Sequence, residues 1–225
     1  ISFLKIYFFH EFESTRIVLI SSSFINMIVH NKIILASSSN SRYQILKKSG
    51  VNFQQTTPLC KEDDVKKKLS RKKYSPSTIA KHLSYEKSIS VSRVKKYHNY
   101  NVVGCDTLIY LNNQIFDKAK NMNEAKKKIL KLSGKTHNIV SGLTICKKGR
   151  RIWQCSQTTK VKIRKLNITQ VDNYLKTVGA PILQSVGCYQ IESLGTHIIE
   201  EIKGDFFNVM GLPLFKLLKY LNNIK

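Results

Sequence analysis

A chain of 225 residues, 42% of them hydrophobic, is long enough to bury a sizeable core, which excludes disorder over the whole chain. Its formal net charge of +24 has two explanations: drift in composition, or a polyanionic partner such as a nucleic acid, an anionic membrane surface or a nucleotide phosphate chain. Lys and Asn are spread along the chain and are not gathered in one arm. Drift is therefore the favoured explanation, and charge alone does not indicate a nucleic-acid-binding protein.

The cysteines and the apolar segments bear on the compartment. Five cysteines, an odd number, occur without a Cys-x-x-Cys pair. This favours small buried thiols in a reducing compartment over a disulfide framework. No apolar run reaches the roughly 18 residues that a membrane helix needs. We therefore expect a cytoplasmic protein with no membrane partner.

The first residues differ in pattern from the rest. Residues 1–26 are apolar but interrupted by charges, and they lack the long apolar core and cleavage site of a signal peptide. The chain opens with Ile1, and Met27 stands just before the first well-patterned strand. We expect a leader over residues 1–31, whose place in the native protein is open, and one domain over residues 32–225.

The first half of the chain predicts strands and helices in alternation. Short apolar runs between polar turns predict strands, and apolar residues at helical spacing predict helices. In chain order we predict a strand at 32–37, a helix at 42–49, a strand at 51–57, a charged loop or frayed helix at 60–76, a helix at 77–96, and strands at 101–111 and 114–116. This order indicates an α/β fold.

The second half continues without an internal repeat or a low-complexity linker. In chain order we predict a helix at 123–132, long strands at 136–147 and 151–166, a helix at 169–177 with Thr169 as its N-cap, short strands at 189–191 and 197–202, and a helix at 213–221. The long strands are joined at Lys148 and Gly149, which predicts a tight turn. The whole pattern indicates a single α/β domain.

Asp106 interrupts the most apolar strand, residues 101–111. Burying an unpaired carboxylate is costly, so Asp106 must either be paired or face a cleft. One interpretation is a structural Asp that caps a neighbouring turn. The other is a general base or a metal ligand at the end of a strand in an α/β cleft.

The polar turn Ser37–Ser39 and Arg42 form a second candidate binding feature. They lie between the first strand of the domain and the helix that follows it. A helix N-terminus presents free backbone N–H groups to an anion, and an Arg can add a bidentate grip on a phosphate. Serine-rich caps are common, so this turn by itself is a weak signal.

Five motifs stand in a recognisable order: Leu35–Arg42 followed by Ile45 and Leu46, Gly104–Thr107, Leu132–His137 followed by Gly142, Gly187–Ile191, and Gly204 through Gly211–Leu214. In this order and spacing they resemble the Maf family of nucleotide pyrophosphatases. The resemblance covers about residues 32–221. It implies a mixed β-sheet flanked by helices, with a central cleft between two lobes, often as a homodimer. The implied activity is cleavage of a nucleoside triphosphate to the monophosphate and diphosphate.

The resemblance also implies roles for single residues. Asp106 matches the general base, and Glu62 matches a second acidic residue in the cleft, so that these two are the candidate ligands of Mg²⁺ or Mn²⁺. The substrate-binding candidates are Ser37, Ser39, Arg42, Lys87, Thr107, Lys118 and Glu192. Among them, Arg42 and the serine turn match the triphosphate cradle, and Lys87 and Lys118 match two phosphate-facing lysines. A triphosphate carries about four negative charges, which this set and a metal ion can offset.

The chain departs from the family's pattern at several positions: Asn40 replaces a Pro, Ser41 an Arg, Lys61 an Asp, Ala119 a Pro and Ser185 a Lys. These departures bear on turnover more than on the fold. They leave open a second function, in which an inactive scaffold acts as a basic nucleic-acid-binding or cell-division regulatory protein. The joint presence of the acidic and basic cleft residues argues against it, and nucleic acid is not the expected partner.

Three cleft positions bear on the choice of base: Ser41, Thr107 and Glu192. Set against the family's pyrimidine and 7-methyl-GTP members, Thr107 indicates dTTP or UTP, Glu192 indicates 7-methyl-GTP, and Ser41 indicates neither. A carboxylate can accept hydrogen bonds from a guanine edge, which favours a purine. In a strand at 189–191, alternation would place Glu192 on the face opposite Tyr189 and Ile191, toward the base.

Overall fold

We describe residues 5–9, 16–20, 32–70, 74–112 and 114–223 from a computed structural model. The strands are β1 (Lys5–Phe9), β2 (Arg16–Ile20), β3 (Ile33–Ala36), β4 (Phe53–Thr56), β5 (Asn101–Leu111), β6 (Gln114–Phe116), β7 (Thr136–Lys147), β8 (Arg150–Ile163) and β9 (Ile199–Lys203). The α-helices are α1 (Asn40–Lys48), α2 (Glu62–Ser70), α3 (Pro76–Ser92), α4 (Met122–Leu132), α5 (Ile168–Val178), α6 (Phe206–Val209) and α7 (Leu214–Asn222).

A mixed seven-stranded sheet has the order β4-β3-β5-β7-β8-β9, and β6 pairs with β5 beside this path. The strand β3 is parallel to both β4 and β5, whereas β7 runs antiparallel to β5, β8 to β7 and β9 to β8. The parallel pairs of β3 result from the strand–helix–strand order at the start of the domain, because two parallel neighbouring strands must be joined by a crossover connection. This mixed sheet with flanking helices is the predicted α/β fold.

The side-chain alternation of β5 explains where the cleft lies. Because side chains alternate between faces, Val103, Cys105, Thr107, Ile109 and Leu111 share one face. The first two belong to a hydrophobic cluster with α1 and α7, and the last two belong to a cluster with α4 and α5. Thr107 lies between these two clusters, and its position marks the gap between the two predicted lobes.

Several predicted elements differ from the structure. The charged segment 60–76 contains the helix α2, which was one of the two alternatives predicted for it, whereas the short helix α6 was not predicted. The helix α5 is capped by Asn167, which forms a capping box with Gln170, so that Thr169 as N-cap is wrong. Residues 189–191 form no strand, because this segment follows turns that are held by side-chain hydrogen bonds. The last predicted strand begins later, at Ile199, after a short 3₁₀ turn.

The predicted leader contains two strands that the sequence did not reveal. The strands β1 and β2 pair antiparallel in a two-stranded sheet of their own. The other residues of the segment 1–31 lie outside the described residues. The place of this segment in the native protein stays a prediction.

Candidate active site

A cleft of about 840 Å³ opens beside Thr107, a volume typical of small-molecule sites. All of the site residues predicted from the sequence line it: Ser37, Ser39, Arg42, Glu62, Lys87, Asp106, Thr107, Lys118 and Glu192. We call the part formed by the buried side chains of Ser37, Arg42, Lys87 and Asp106 the inner end. The part formed by Ser41 and residues 185–192 is the outer end.

Two glycines let α3 approach the sheet closely enough to form the inner end. A Cβ atom at Gly104 would lie 2.2 Å from the carbonyl oxygen of Ser84, and one at Gly142 would lie 2.2 Å from the carbonyl oxygen of Ala80. Gly142 is the antiparallel partner of Asp106 in the register of β5 and β7. The close approach therefore brings Lys87 of α3 within reach of Asp106.

The ammonium group of Lys87 lies between two carboxylates. Its Nζ donates to Oδ1 of Asp106 at 2.7 Å and lies 2.8 Å from Oε2 of Glu62. The side chains of Lys87 and Asp106 are only 7% and 8% exposed, whereas that of Glu62 is 42% exposed. A largely buried ion pair is thus extended toward the cleft by a carboxylate from α2.

Burial and charge act against each other on Lys87. Burial alone would lower the pKa of Lys87, and the nearby guanidinium of Arg42 acts in the same direction. The carboxylates of Asp106 and Glu62 oppose them, and the pKa of Lys87 is raised above its usual value. Lys87 is therefore a cation in this arrangement.

Arg42 is buried and holds three different parts of the protein together. Its Nε donates to the carbonyl oxygen of Gly211 at 2.8 Å, one terminal nitrogen to Oγ of Ser37 at 3.2 Å and the other to Oγ1 of Thr107 at 3.1 Å. Three of the five N–H donors of an Arg side chain are thus used within the protein. This leaves at most one N–H group on each terminal nitrogen of Arg42 for a phosphate.

The serine turn Ser37–Ser39 shapes the N-terminus of α1. The backbone N–H of Ser39 donates to Oγ of Ser37 at 3.2 Å, and Oγ of Ser39 caps the helix by accepting from the N–H of Arg42. The side chain of Gln55 donates to the carbonyl oxygen of Ser37 at 2.7 Å. These bonds hold the first turn of a nine-residue helix at the cleft, where its dipole favours an anion.

Glu192 lies at the outer end, although the predicted strand around it is absent. Oγ of Ser41 donates to Oε1 of Glu192 at 3.1 Å, which joins α1 to the segment 185–192. Tyr189 and Ile191 are buried, and Glu192 is exposed toward the cleft. The strand that the expected alternation assumed is absent, and Tyr189 and Ile191 line the same cleft as Glu192.

A buried pair that the sequence did not assign anchors the outer end. His137 Nε2 and the hydroxyl of Tyr189 lie 2.5 Å apart, and Oγ of Ser185 donates to the carbonyl oxygen of Tyr189 at 2.6 Å. The backbone at Cys188 is left-handed, with φ of 56°. Burial lowers the pKa of His137 to about 4 and raises that of Tyr189, so both are neutral at pH 7. Both belong to motifs noted in the sequence, which was the only signal for this pair.

Lys118 lines the cleft on the loop between β6 and α4, and its side chain is exposed. The neighbouring Asp117 forms an exposed ion pair with Lys66 of α2, at 3.4 Å between Nζ and Oδ1. Lys120 also lines the cleft. This loop adds positive charge to the cleft, but Lys118 does not join the ion cluster of Lys87.

Two carboxylates, Asp106 at the inner end and Glu62 beside it, have the chemistry to hold a divalent cation. Within the described part of the chain, no group of three or more His, Cys, Asp or Glu side chains could hold a metal ion. Oδ2 of Asp106 is, however, buried without a hydrogen-bond partner among the described residues, and Glu62 brings a second carboxylate to the same ammonium group. Mg²⁺ is usually held by one or two carboxylates together with water and substrate phosphates. Asp106 and Glu62 are such a pair.

Two further findings concern the whole chain. All five cysteines are free thiols. Among the described residues, no helix is both long enough and apolar enough to cross a membrane.

The fold and the cleft define an α/β protein whose cleft brings Asp106, Lys87 and Glu62 together beside the N-terminus of α1. A protein-family model described as Maf-like protein matches residues 32–224, and this chain belongs to that family. It is 35% identical over 189 residues to a nucleoside triphosphate pyrophosphatase of Caulobacter vibrioides, covering 84% of this chain and 94% of that protein. It is 38% identical over 192 residues to a 7-methyl-GTP pyrophosphatase of Bartonella quintana, covering 85% and 95%.

Proposed function

We propose that this chain is a nucleoside triphosphate pyrophosphatase, which hydrolyses a nucleoside triphosphate to the monophosphate and diphosphate. The observation that carries the proposal is the inner end, where a buried carboxylate, an ammonium group and a guanidinium group meet beside a helix N-terminus. Such a site can take up a polyanion and offers a base to activate water. The names of the two relatives support the same reaction.

In the proposed reaction, Asp106 acts on the attacking water. Its Oδ2 has no hydrogen-bond partner within the described residues, and it is the atom we assign to orient or deprotonate water for attack on the α-phosphorus. The bond from the α-phosphorus to the bridging oxygen breaks, and diphosphate leaves. Lys87, Lys118 and the α1 N-terminus at Ser37 and Ser39 offset the charge of the phosphates.

We assign Asp106 and Glu62 as the residues that would hold Mg²⁺ or Mn²⁺. A bound cation would offset phosphate charge and polarise the phosphoryl oxygens. Arg42 contributes mainly by fixing Ser37, Thr107 and the carbonyl of Gly211, which keeps the walls of the inner end in place. Its two remaining N–H groups are directed to the triphosphate in this proposal.

For the base we propose a purine of the guanine type, held at the outer end. The carboxylate of Glu192 is exposed to the cleft and can accept hydrogen bonds from N1–H and N2–H₂ of guanine. Its link to Ser41 holds it beside the first turn of α1. The 7-methyl-GTP pyrophosphatase among the relatives supports this choice. A cytoplasmic location and a homodimer belong to the same proposal.

Release of diphosphate tests the function directly. We expect the purified chain to form monophosphate and diphosphate from at least one of GTP, 7-methyl-GTP, UTP and dTTP in the presence of Mg²⁺ or Mn²⁺, and to stop when the metal is chelated. Separation of the products by chromatography distinguishes this cleavage from release of the γ-phosphate. A folded protein that hydrolyses none of the four would favour the inactive scaffold.

A further inference from the structure

We propose that Lys87 takes the place of the divalent cation in the nucleotide-free enzyme, so that the cation binds well only together with the triphosphate, which draws Lys87 away. This inference rests on the proposed function and deepens it. It concerns the order in which the divalent cation and the triphosphate bind at the inner end.

The first argument is the geometry of the ammonium group. Nζ of Lys87 lies 2.7 Å from Oδ1 of Asp106 and 2.8 Å from Oε2 of Glu62. These carboxylates belong to β5 and α2, two elements that are distant in sequence. One positive group thus bridges the same pair of acidic side chains that would hold a metal ion.

The second argument is access. Oδ2 of Asp106 is buried, and the hydrogen bonds described for this carboxylate all go to Lys87. A water molecule or a cation reaches that oxygen only after a neighbouring side chain moves. Lys87 is the side chain that donates to this carboxylate, and its four-carbon stem can swing away without disturbing the pairing of β5 with its neighbouring strands.

The third argument is charge. Two carboxylates and one ammonium group leave a net charge of −1, and the guanidinium of Arg42 close by brings it to zero. A free divalent cation would therefore enter a site that is already neutral, next to two positive groups. A triphosphate that arrives with the cation changes this balance, because its oxygens give the Lys87 ammonium group a new partner.

The arrangement predicts coupled binding. If Lys87 has left the carboxylates in only about a tenth of the nucleotide-free molecules, the apparent affinity for free metal is about tenfold weaker than the intrinsic affinity. The coupling is reciprocal, so the triphosphate raises the affinity for the metal as much as the metal raises the affinity for the triphosphate.

The test measures Mn²⁺ binding without turnover, by calorimetry and by electron paramagnetic resonance of free Mn²⁺. We expect Lys87→Met to bind Mn²⁺ without nucleotide at least about tenfold more tightly than the parent chain. Lys87→Arg keeps the positive charge and should bind it as weakly as the parent. Lys126→Met is the matched control, because it removes an ammonium group from a carboxylate outside the cleft.

A triphosphate with a methylene group between the α- and β-phosphorus atoms adds the second readout. In the parent chain we expect this analogue to tighten Mn²⁺ binding strongly, and in Lys87→Met we expect most of that coupling to be lost. Equal or weaker Mn²⁺ binding by Lys87→Met, or undiminished coupling, would overturn the proposal. Diphosphate release by the parent chain is measured separately, so a failure here does not count against the proposed function.

The parent chain provides an answer even if Lys87→Met does not fold. Acylation of lysines by a water-soluble reagent, followed by peptide mass spectrometry, reports how accessible Lys87 is. We expect saturating Mn²⁺ without nucleotide to increase the acylation of Lys87, because the cation then displaces Lys87 from the carboxylates and no triphosphate is present to pair with it, and to leave Lys126 unchanged. Acylation of Lys87 that saturating Mn²⁺ leaves unchanged would contradict the competition between Lys87 and the cation.

Discussion

The two ends of the cleft are built in different ways. The inner end consists of side chains on regular elements, Asp106 on β5, Lys87 on α3 and Arg42 on α1. The outer end is a segment of turns, residues 185–192, with a left-handed residue at Cys188 and a buried anchor at His137. The inner end therefore depends on helix and sheet packing, whereas the outer end depends on a few specific hydrogen bonds.

This difference suggests that the two ends of the cleft have different functions. The inner end is charged and stands on regular elements, as expected for chemistry on phosphates that are common to all nucleotides. The outer end can change its side chains without disturbing the sheet, as expected for the part that distinguishes bases. Substitutions at the inner end should therefore change turnover for all substrates alike, and substitutions at the outer end should change the preference among them.

The largest effect is expected at Asp106. Asp106→Asn should lower turnover by roughly 10²–10⁴-fold for every nucleotide, the usual contribution of a positioned general base. The amide oxygen can still accept from Lys87, so the fold should be kept. Steady-state kinetics of diphosphate release, with circular dichroism as a check on folding, measure both.

Asp117→Asn is the matched control for this carboxylate. Asp117 also lines the cleft, but it is exposed and pairs with Lys66. Loss of the negative charge of Asp117 should change turnover only a few-fold. Equal turnover of Asp106→Asn and the parent would mean that Asp106 has a structural role instead.

The next effect concerns the close approach of α3 that creates the inner end. Gly142→Ala should lower the free energy of unfolding by about 3 kcal/mol or more, the upper part of the range for overpacking, because its Cβ would meet the backbone of Ala80. Gly149→Ala is the comparison, since it has a positive φ but its Cβ would make only an ordinary contact, 3.4 Å from Cγ of Arg93, and it should cost about 1 kcal/mol. Urea unfolding measures the free energy of unfolding of both variants. If the two substitutions lower it equally, the close approach of α3 is not the reason why a glycine is needed at Gly142.

The anchor of the outer end should respond to pH. Burial lowers the pKa of His137 from 6.5 to about 4, so the unfolded chain takes up a proton at a higher pH than the folded chain. The neutral His137 side chain contributes fully to the free energy of unfolding above about pH 6.5. This contribution, up to about 3 kcal/mol, is lost as the pH falls toward 4.

Comparison of the parent with His137→Gln isolates this contribution from that of the carboxylates. The loss of unfolding free energy between about pH 7 and pH 4.5 should be smaller in the variant by about 2 kcal/mol. His82→Gln, which changes an exposed His, should behave like the parent. The same pH dependence in all three chains would show that His137 is not held neutral by burial.

The smallest effect is expected at Glu192. Glu192→Gln should shift the ratio of kcat/KM for 7-methyl-GTP over that for UTP toward UTP by about 1 kcal/mol, the low end for a base contact, because Glu192 is exposed. Glu200→Gln, an exposed Glu paired with Lys162 outside the cleft, should leave the ratio unchanged. If Glu192→Gln leaves the ratio unchanged, Glu192 does not bind the base. The proposed difference in function between the two ends of the cleft then has no support.

Prediction from the sequence succeeded where structure is local. Apolar runs and helical spacing located β5, β7 and α4 to within one residue, because these elements bury a hydrophobic face, whereas β8 ends three residues before its predicted end, at Ile163. The short segments were less accurate. Residues 189–191 look like a strand by alternation, but Tyr189 and Ile191 are buried by a turn that is tied to His137 and Ser185.

By itself the sequence determined the α/β class and the order of the main elements, and its resemblance to a family indicated nine of the residues that line the cleft. It could not determine how those residues are paired, because the partners are brought together from distant elements by packing. Only the tertiary structure placed Lys87 between Glu62 and Asp106, and used three donors of Arg42 inside the protein. The physical reason is the close contact of α3 with the sheet at Gly104 and Gly142, which a one-dimensional pattern does not contain.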